Sequence, residues 1–271
     1  MKPKKLLLFG LWMAVTALIA LVVALPVAAH DQDRECSLKT LKGGYGLDEA
    51  GTILVPPPPQ LYVLSGIGFY DGNGNFSGSV TLNLGIALPA TFTGTYTVNS
   101  DCTYSDSVEV VSPLGPTPLT HKGMVVGDGM SREVLAIASG PGTIAAVTIR
   151  KTPVGRCSLR TLKGTYGLLG EGTVMIPSNP PISVVQAGTL TFDGAGNFSG
   201  EDTANLGGSS TTANFTGTYA VNPDCTASAV VNTVLGFIHQ KGVITGEGEF
   251  QEVHGIFTDS GWVFAQTLKK Q

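Results

Sequence analysis

Charge is scarce in this sequence, and so are the residue constellations of most catalytic sites. Asp, Glu, Lys and Arg make up only 13% of the 271 residues, and the histidines are four: His30, His121, His239 and His254. No Gly-x-Ser-x-Gly elbow, phosphate loop or dinucleotide fingerprint is present, which removes three common enzyme signatures. The four cysteines never stand at Cys-x-x-Cys spacing or beside a histidine pair, so they do not read as a zinc site. Convincing helical periodicity is missing outside the N-terminal segment, and so is a second apolar run long enough to cross a bilayer.

One such run does exist. Met1-Lys2-Pro3-Lys4-Lys5 gives a basic head, Leu6 to Ala29 an apolar body, and Val27-Ala28-Ala29 a small-residue end before polar His30. That is the pattern of a secretory signal peptide, cut after Ala29. The rival reading is an uncleaved anchor; Pro26 beside the small-residue site favours cleavage. The expected location is secreted, periplasmic or otherwise extracytoplasmic, with membrane contact only transient, through the signal peptide. Cleavage removes three of the 16 basic side chains, leaving 13 against 20 acidic ones and a formal charge of −7. Such a chain is a poor partner for nucleic acid or an anionic membrane.

What the chain has in abundance is glycine, 36 residues, with 16 prolines. This composition disfavours helices and suits strands joined by tight turns. It is also repeated. Cys36-Ser-Leu-Lys-Thr-Leu-Lys-Gly-Gly-Tyr-Gly46 recurs as Cys157-Ser-Leu-Arg-Thr-Leu-Lys-Gly-Thr-Tyr-Gly167, nine of eleven residues being identical. Asp71-Gly-Asn-Gly-Asn-Phe-Ser-Gly78 recurs from Asp193 to Gly200. Phe92-Thr-Gly-Thr-Tyr-Thr-Val-Asn-Ser-Asp-Cys-Thr103 recurs from Phe215 to Thr226. The offsets are 121, 122 and 123 positions, so one unit has been duplicated. That period is too long for a solenoid repeat, and each copy should be a self-contained domain. The expected division is a signal peptide at 1–29, one repeat at 30–152 and another at 153–271.

Within a copy the pattern has period two. Phe215, Gly217, Tyr219 and Val221 alternate with Thr216, Thr218 and Ala220, and the first copy repeats this with Phe92, Gly94, Tyr96 and Val98. Trp262, Phe264, Gln266 and Leu268 share one face of a closing strand. About eight such runs per copy predict an all-β chain of two tandem antiparallel up-and-down barrels, with β-sandwiches as the alternative. Glycines alternating with large residues suit strongly coiled barrel strands. Each copy carries one cysteine at its start and one in its Asp-Cys turn. Only the pairings Cys36–Cys102 and Cys157–Cys225 give both copies the same bridge.

The remaining candidates have plain structural explanations. Asp71-Gly-Asn-Gly-Asn75 begins like a calcium loop, but Phe76 stands at its sixth position and Ala195 replaces Asn73 in the second copy. A hairpin turn is the better reading. Asn75, Asn197 and Asn214 head glycosylation sequons by chance. His121 and His239, each near a Lys-Gly, occupy nearly equivalent places and read as solvated strand-end side chains. Glu247 and Glu249 read as two carboxylates on one solvated strand face. The runs at Pro56–Pro59 and Pro177–Pro181 read as rigid extended loops. No residue is assigned a catalytic or metal-binding role, and no cofactor is expected.

The three repeated blocks resemble the shared pattern of exported bacterial proteins of unknown function. At the level of fold, the units resemble calycin-like or allene-oxide-cyclase-like eight-stranded barrels. No catalytic residue of those families can be matched onto this chain. The resemblance implies a bacterial envelope or secreted location and no established activity. The expected role is non-catalytic, binding a small apolar ligand inside a barrel, since eight strands are just wide enough to hold one, or a surface partner through the loops. A cyclase or isomerase using the barrel mouth, and a purely structural or adhesive envelope protein, are the alternatives. Val147 against Gln266 on the last strand indicates that the two interiors differ.

Overall fold

Why the chain closes on itself follows from its alternation and its glycines. The structure, a computed structural model, describes residues 35–54, 58–138, 142–176, 180–234 and 236–271. The expected signal peptide with its cut after Ala29 lies outside them, as do Pro56, Pro57 and Pro177 of the proline runs. The first copy forms β1 (Gly43–Ile53), β2 (Gln60–Tyr70), β3 (Asn75–Asn83), β4 (Ala87–Val98), β5 (Thr103–Ser112), β6 (Gly115–Val126), β7 (Glu133–Ala138) and β8 (Thr143–Lys151). The second forms β9 (Gly164–Val174), β10 (Ile182–Phe192), β11 (Asn197–Leu206), β12 (Ser209–Val221), β13 (Thr226–Thr233), β14 (Gly236–Thr245), β15 (Glu252–Phe257) and β16 (Trp262–Lys270). Each set is an antiparallel up-and-down barrel, closed where β1 pairs with β8 and β9 with β16. Closure leaves no sheet edge to template aggregation.

The repeated motifs prove to be the parts that shape one end of each barrel. A short 3-10 helix, Leu38–Leu41 or Leu159–Leu162, plugs that end with a fully buried leucine, Leu41 or Leu162. The tyrosine of the Phe-Thr-Gly-Thr-Tyr block holds the plug down: Tyr96 and Tyr219 each donate a 2.9 Å hydrogen bond, to the carbonyls of Leu38 and Leu159. In the Asp-Gly hairpins, the Asp193 carboxylate accepts from the backbone N–H of Ala195 and Asn197, at 2.6 and 3.0 Å, and from the Asn197 side chain at 2.8 Å. Those bonds hold its pKa down at about 2; Asp71 makes the matching set. The glycine ending that block is fixed by close approach. A Cβ on Gly78 would collide with the Ile67 carbonyl and the Phe92 ring, and one on Gly200 with the Thr189 carbonyl and Phe215.

The Asp-Cys turn carries the only two non-glycine residues of positive φ among the described residues, Cys102 at 66° and Cys225 at 73°. Side chains with a Cβ enter that region at a cost, and here the turn imposes it. Asp101 accepts from the Thr103 N–H (3.0 Å) and hydroxyl (2.7 Å), while the Cys102 N–H bonds back to the Asn99 carbonyl at 2.9 Å. The cysteine is thereby aimed at the plug, and the structure contains both disulfides, Cys36–Cys102 and Cys157–Cys225.

The two copies are not separate bodies on a linker. Cys36–Gln271 is one unit, and the outer faces of β1 and β2 lie against β14, β15 and β16. Strands β2 and β15 are consequently buried on both faces over much of their length. Val63, Ile256 and Val263 form an apolar seam with Met175 and Ala265. Asn83, fully buried, donates to the Phe257 and Trp262 carbonyls at 2.6 and 2.7 Å, and Ser65 to the His254 carbonyl at 3.0 Å. An ionic group sits beside this seam. Arg150 reaches Glu133 at 2.8 Å and Glu252 in the other barrel, and its Nη1 lies 2.8 Å from His254 Nε2. Burial opposes the charge of Glu252, but His254, Lys269 and Arg150 outweigh it and hold its pKa at about 2. Glu247 and Glu249 are exposed, as expected, but they lie at a turn rather than on a strand face. Gly246 and Gly248, at φ of 65° and 62°, turn the chain into a 3-10 turn (Gly248–Phe250), and Glu247 accepts from the Val154 N–H at 2.6 Å.

Replacing Cys36 and Cys102 together by serine removes a cross-link spanning 66 positions. Unfolding in denaturant under non-reducing conditions should show a loss of about 4 kcal/mol, the chain-entropy value for a loop of that length.

Candidate functional site: the two barrel interiors

An eight-stranded barrel is just wide enough to fill with side chains or to hold one small ligand. The strand registers allow the two interiors to be compared position by position, and they have taken different courses.

The first is filled, and its centre is ionisable. Glu49 on β1, Asp106 on β5 and His121 on β6 all point inward and are buried. Asp106 faces His121 directly across the ladder. Its Oδ1 lies 2.8 Å from His121 Nδ1 and accepts from the His121 backbone N–H at 3.0 Å, while Oδ2 accepts from the Tyr104 hydroxyl at 2.6 Å. The Tyr62 hydroxyl donates to Glu49. Glu49 Oε2 stands 3.9 Å from His121 Nε2, a nitrogen with no hydrogen-bond partner of its own. Burial pushes the Glu49 carboxyl up. For His121, burial acts to lower the pKa, but the hydrogen bond and charge of Asp106 and the charge of Glu49 outweigh it, and the net shift is upward. The free space beside the cluster is about 30 Å³, room for one or two waters. An imidazole oriented by one carboxylate and faced by another could move a proton, yet no space for a substrate adjoins it.

His121 is therefore not the solvated strand-end side chain that its sequence context suggested. Neither is it the counterpart of His239. The ladder pairs Ala229 with Gln240 where the first barrel pairs Asp106 with His121, so Gln240 occupies the equivalent place. His239 is one residue out of phase and faces outward, its Nδ1 2.8 Å from Asp259. Alternation in a strand has period two, so that single-residue offset sends the two histidines to opposite faces.

The second barrel is hollow. Gly170 stands where Glu49 does, Ala227 for Tyr104, Ala229 for Asp106 and Val184 for Tyr62. The volume those side chains fill in the first barrel is open here. It is a cavity of about 80 Å³ running from Leu162 and Phe192 at the plug towards Thr233, Ile238 and Phe257 at the other end. Its wall is mostly apolar, with Leu168, Leu190, Phe198, Phe215, Val231 and Leu268.

Three glutamines and an aspartate interrupt that wall. Gln186, Gln240 and Gln266 replace Leu64, His121 and Val147, and they bond chiefly to one another. The Gln266 amide donates to Gln240 at 2.8 Å and its carbonyl accepts from Gln186 at 3.3 Å. Asp202 replaces Val80 on the inward face of the third strand of its barrel. It lines the cavity, and burial alone pushes its pKa up. Sequence reasoning singled out Gln266 but missed Glu49, Asp106, Gln186, Asp202 and Gln240. Counting by twos from the aromatic of each strand, such as Phe198 to Gly200 to Asp202, is the signal that finds them.

The charge cluster of the first barrel makes stability depend on pH. A histidine whose folded pKa exceeds its ordinary 6.5 binds more protons folded than unfolded. Its contribution is complete below 6.5 and lost as pH rises through the folded value. Glu49, also raised, acts in the same direction from its ordinary 4.5 upward. Asp106→Ala should cost about 3–5 kcal/mol in urea unfolding at pH 6, because it strands His121 and Tyr104 inside the barrel. It should also flatten the fall in stability as pH rises above 6.5, with His254, whose pKa is raised too, supplying the remaining slope.

No protein-family model matches the chain, and no curated protein matches it. Among solved structures it is similar to a protein of unknown function from the DUF3598 family of Nostoc punctiforme, at 13% identity over 89% of this chain and 100% of that one, with a TM-score of 0.23.

Proposed function

We propose that this is an exported, non-catalytic binding protein whose second barrel takes up a small, mainly apolar molecule while the first serves as its scaffold. The observation that carries this is the paired replacement at one set of barrel positions. Glu49, Tyr104 and Asp106 fill the first interior, and Gly170, Ala227 and Ala229 leave the second open. A cavity walled by leucine, valine and phenylalanine, with a few polar groups to orient its occupant, is the usual form of a small-molecule site. A cyclase or isomerase reading would call for like polar groups in both copies, whereas the two interiors place different ones at equivalent positions. Export is supported by the two disulfides, which persist in oxidising compartments, and no helix among the described residues is long and apolar enough to span a membrane.

Benzene is a suitable first probe, because dry apolar protein cavities bind it. Added to protein labelled at its methyl groups, benzene should shift the NMR signals of Val231, Ile238 and Leu268 and leave those of Val108 and Ile149 in place. Ala229→Phe, which refills the space that Asp106 occupies in the first barrel, should abolish the shifts. Methyl signals that do not move in the unmodified protein would overturn the binding reading. Independently, mass spectrometry of protein from its own host should give a mature chain beginning at His30 with no free thiol. An intact Met1 end would overturn cleavage.

A further inference from the structure

The cavity contains a carboxylate that the protein does nothing to neutralise. Asp202 projects from β11 in register with Gly188 on one side and Ala213 on the other, so neither neighbouring strand offers it a polar side chain. Gly188 is a matter of strand approach, since a Cβ there would strike the Glu201 carbonyl and the Asp202 backbone, as one on Gly66 would strike Ser79 and Val80 in the first barrel. Among the described residues Asp202 has no ion pair or hydrogen bond. The three glutamines across the cavity are turned to one another instead. Valine at the same position of the first barrel, Val80, is buried and packs in its core, so the fold does not require an acid there.

Asp202 is only partly buried, but a carboxylate without a partner that lines a largely apolar cavity has lost part of its hydration and gains from a charge beside it. The missing partner is a positive charge. Neutral molecules would leave the cost in place, and an anion would add repulsion to it. Building on the proposed binding role of the second barrel, we infer that its occupant is a primary alkylamine: a short apolar chain lying against Leu190, Phe215 and Val231, with its ammonium group at Asp202. The cavity of about 80 Å³ limits the buried part to a few carbons, the rest extending through the barrel end near Thr233 and Ile238. Ammonium-to-carboxylate contact supplies a charge-assisted hydrogen bond, and the glutamine carbonyls offer further acceptors.

Three probes of one chain length separate these possibilities: n-hexylamine, 1-hexanol and hexanoate, titrated at pH 7 by calorimetry and methyl NMR. The amine should bind at least about tenfold more tightly than the alcohol, as a hydrogen bond to a charged group implies, and hexanoate most weakly. Asp202→Asn should bring the amine down to the level of the alcohol without weakening the alcohol. Asp202→Val should do the same, and since valine already occupies this position in the first barrel its folding serves as the control. An amine no tighter than the alcohol, or an amine preference that survives Asp202→Asn, would overturn the inference. If benzene binds the second barrel and the amine does not, the amine inference falls while the cavity reading stands. If benzene also fails, both fall.

Discussion

Everything in this protein turns on the fixed width of an eight-stranded barrel. Once eight strands close, the inward positions have a set volume to divide, and each side chain there decides between core and cavity. The glycines that let strands coil tightly, such as Gly78 and Gly200, are common to both copies because closure needs them. The tyrosines and leucines that plug one end are common for the same reason. What lies between plug and opening is not fixed by closure, and there the copies diverge. Tyr104 and Asp106 against Ala227 and Ala229 is a difference in volume; His121 and Glu49 against Gln240 and Gly170 is a difference in charge. Duplication has kept the container and changed the contents.

The same constraint explains why the copies lean on each other. Barrels bury one face of each strand and expose the other, so an outer face covered by a second barrel must be apolar or satisfied in its hydrogen bonding. Val63, Ile256 and Val263 meet the first requirement, and Asn83 and Ser65, bonded to backbone carbonyls across the seam, the second. The Arg150 group at its margin has three acceptors or partners within reach, Glu133, Glu252 and His254, so its charges are compensated where they lose water. Interfaces of this kind fix orientation as well as adding stability.

Much of the fold was legible in the chain because barrels write themselves in period two. The eight runs per copy, the hairpins at Asp71 and Asp193 and the paired cysteines all follow from local rules, and the structure contains each of them. The interiors were less legible, for a specific reason. Motif reading attends to what is repeated, and the difference between the interiors lies in what is not. His121 and His239 look alike in the sequence because both precede a Lys-Gly step, yet one residue of phase puts the first inside and the second outside. Asp202 is flanked by Glu201, an exposed acid, and only its parity with Phe198 tells them apart. The seam between barrels was invisible for a different reason: Ser65, Asn83 and His254 sit on outward faces, where sequence alone reads polar residues as solvated.

A hollow barrel also carries a cost that a filled one does not. At roughly 24 cal/mol for each Å³ left empty, a cavity of about 80 Å³ lowers stability by about 2 kcal/mol, and an uncompensated Asp202 adds to that. The second barrel bears both. It is stapled by its own disulfide and held along β14, β15 and β16 by a neighbour whose interior is filled. Open, ligand-ready sites commonly come at the expense of stability, and what is lost at the site must be made good elsewhere. In a single-barrel ancestor the same strands would have had to supply both core and cavity. With two copies the requirements separate: one barrel is free to pack, and the other is free to remain open because it is braced from outside. On this view the tandem arrangement does not double a binding capacity. It lets one interior stay open in a domain of about 115 residues, a size at which a core has little stability to spare.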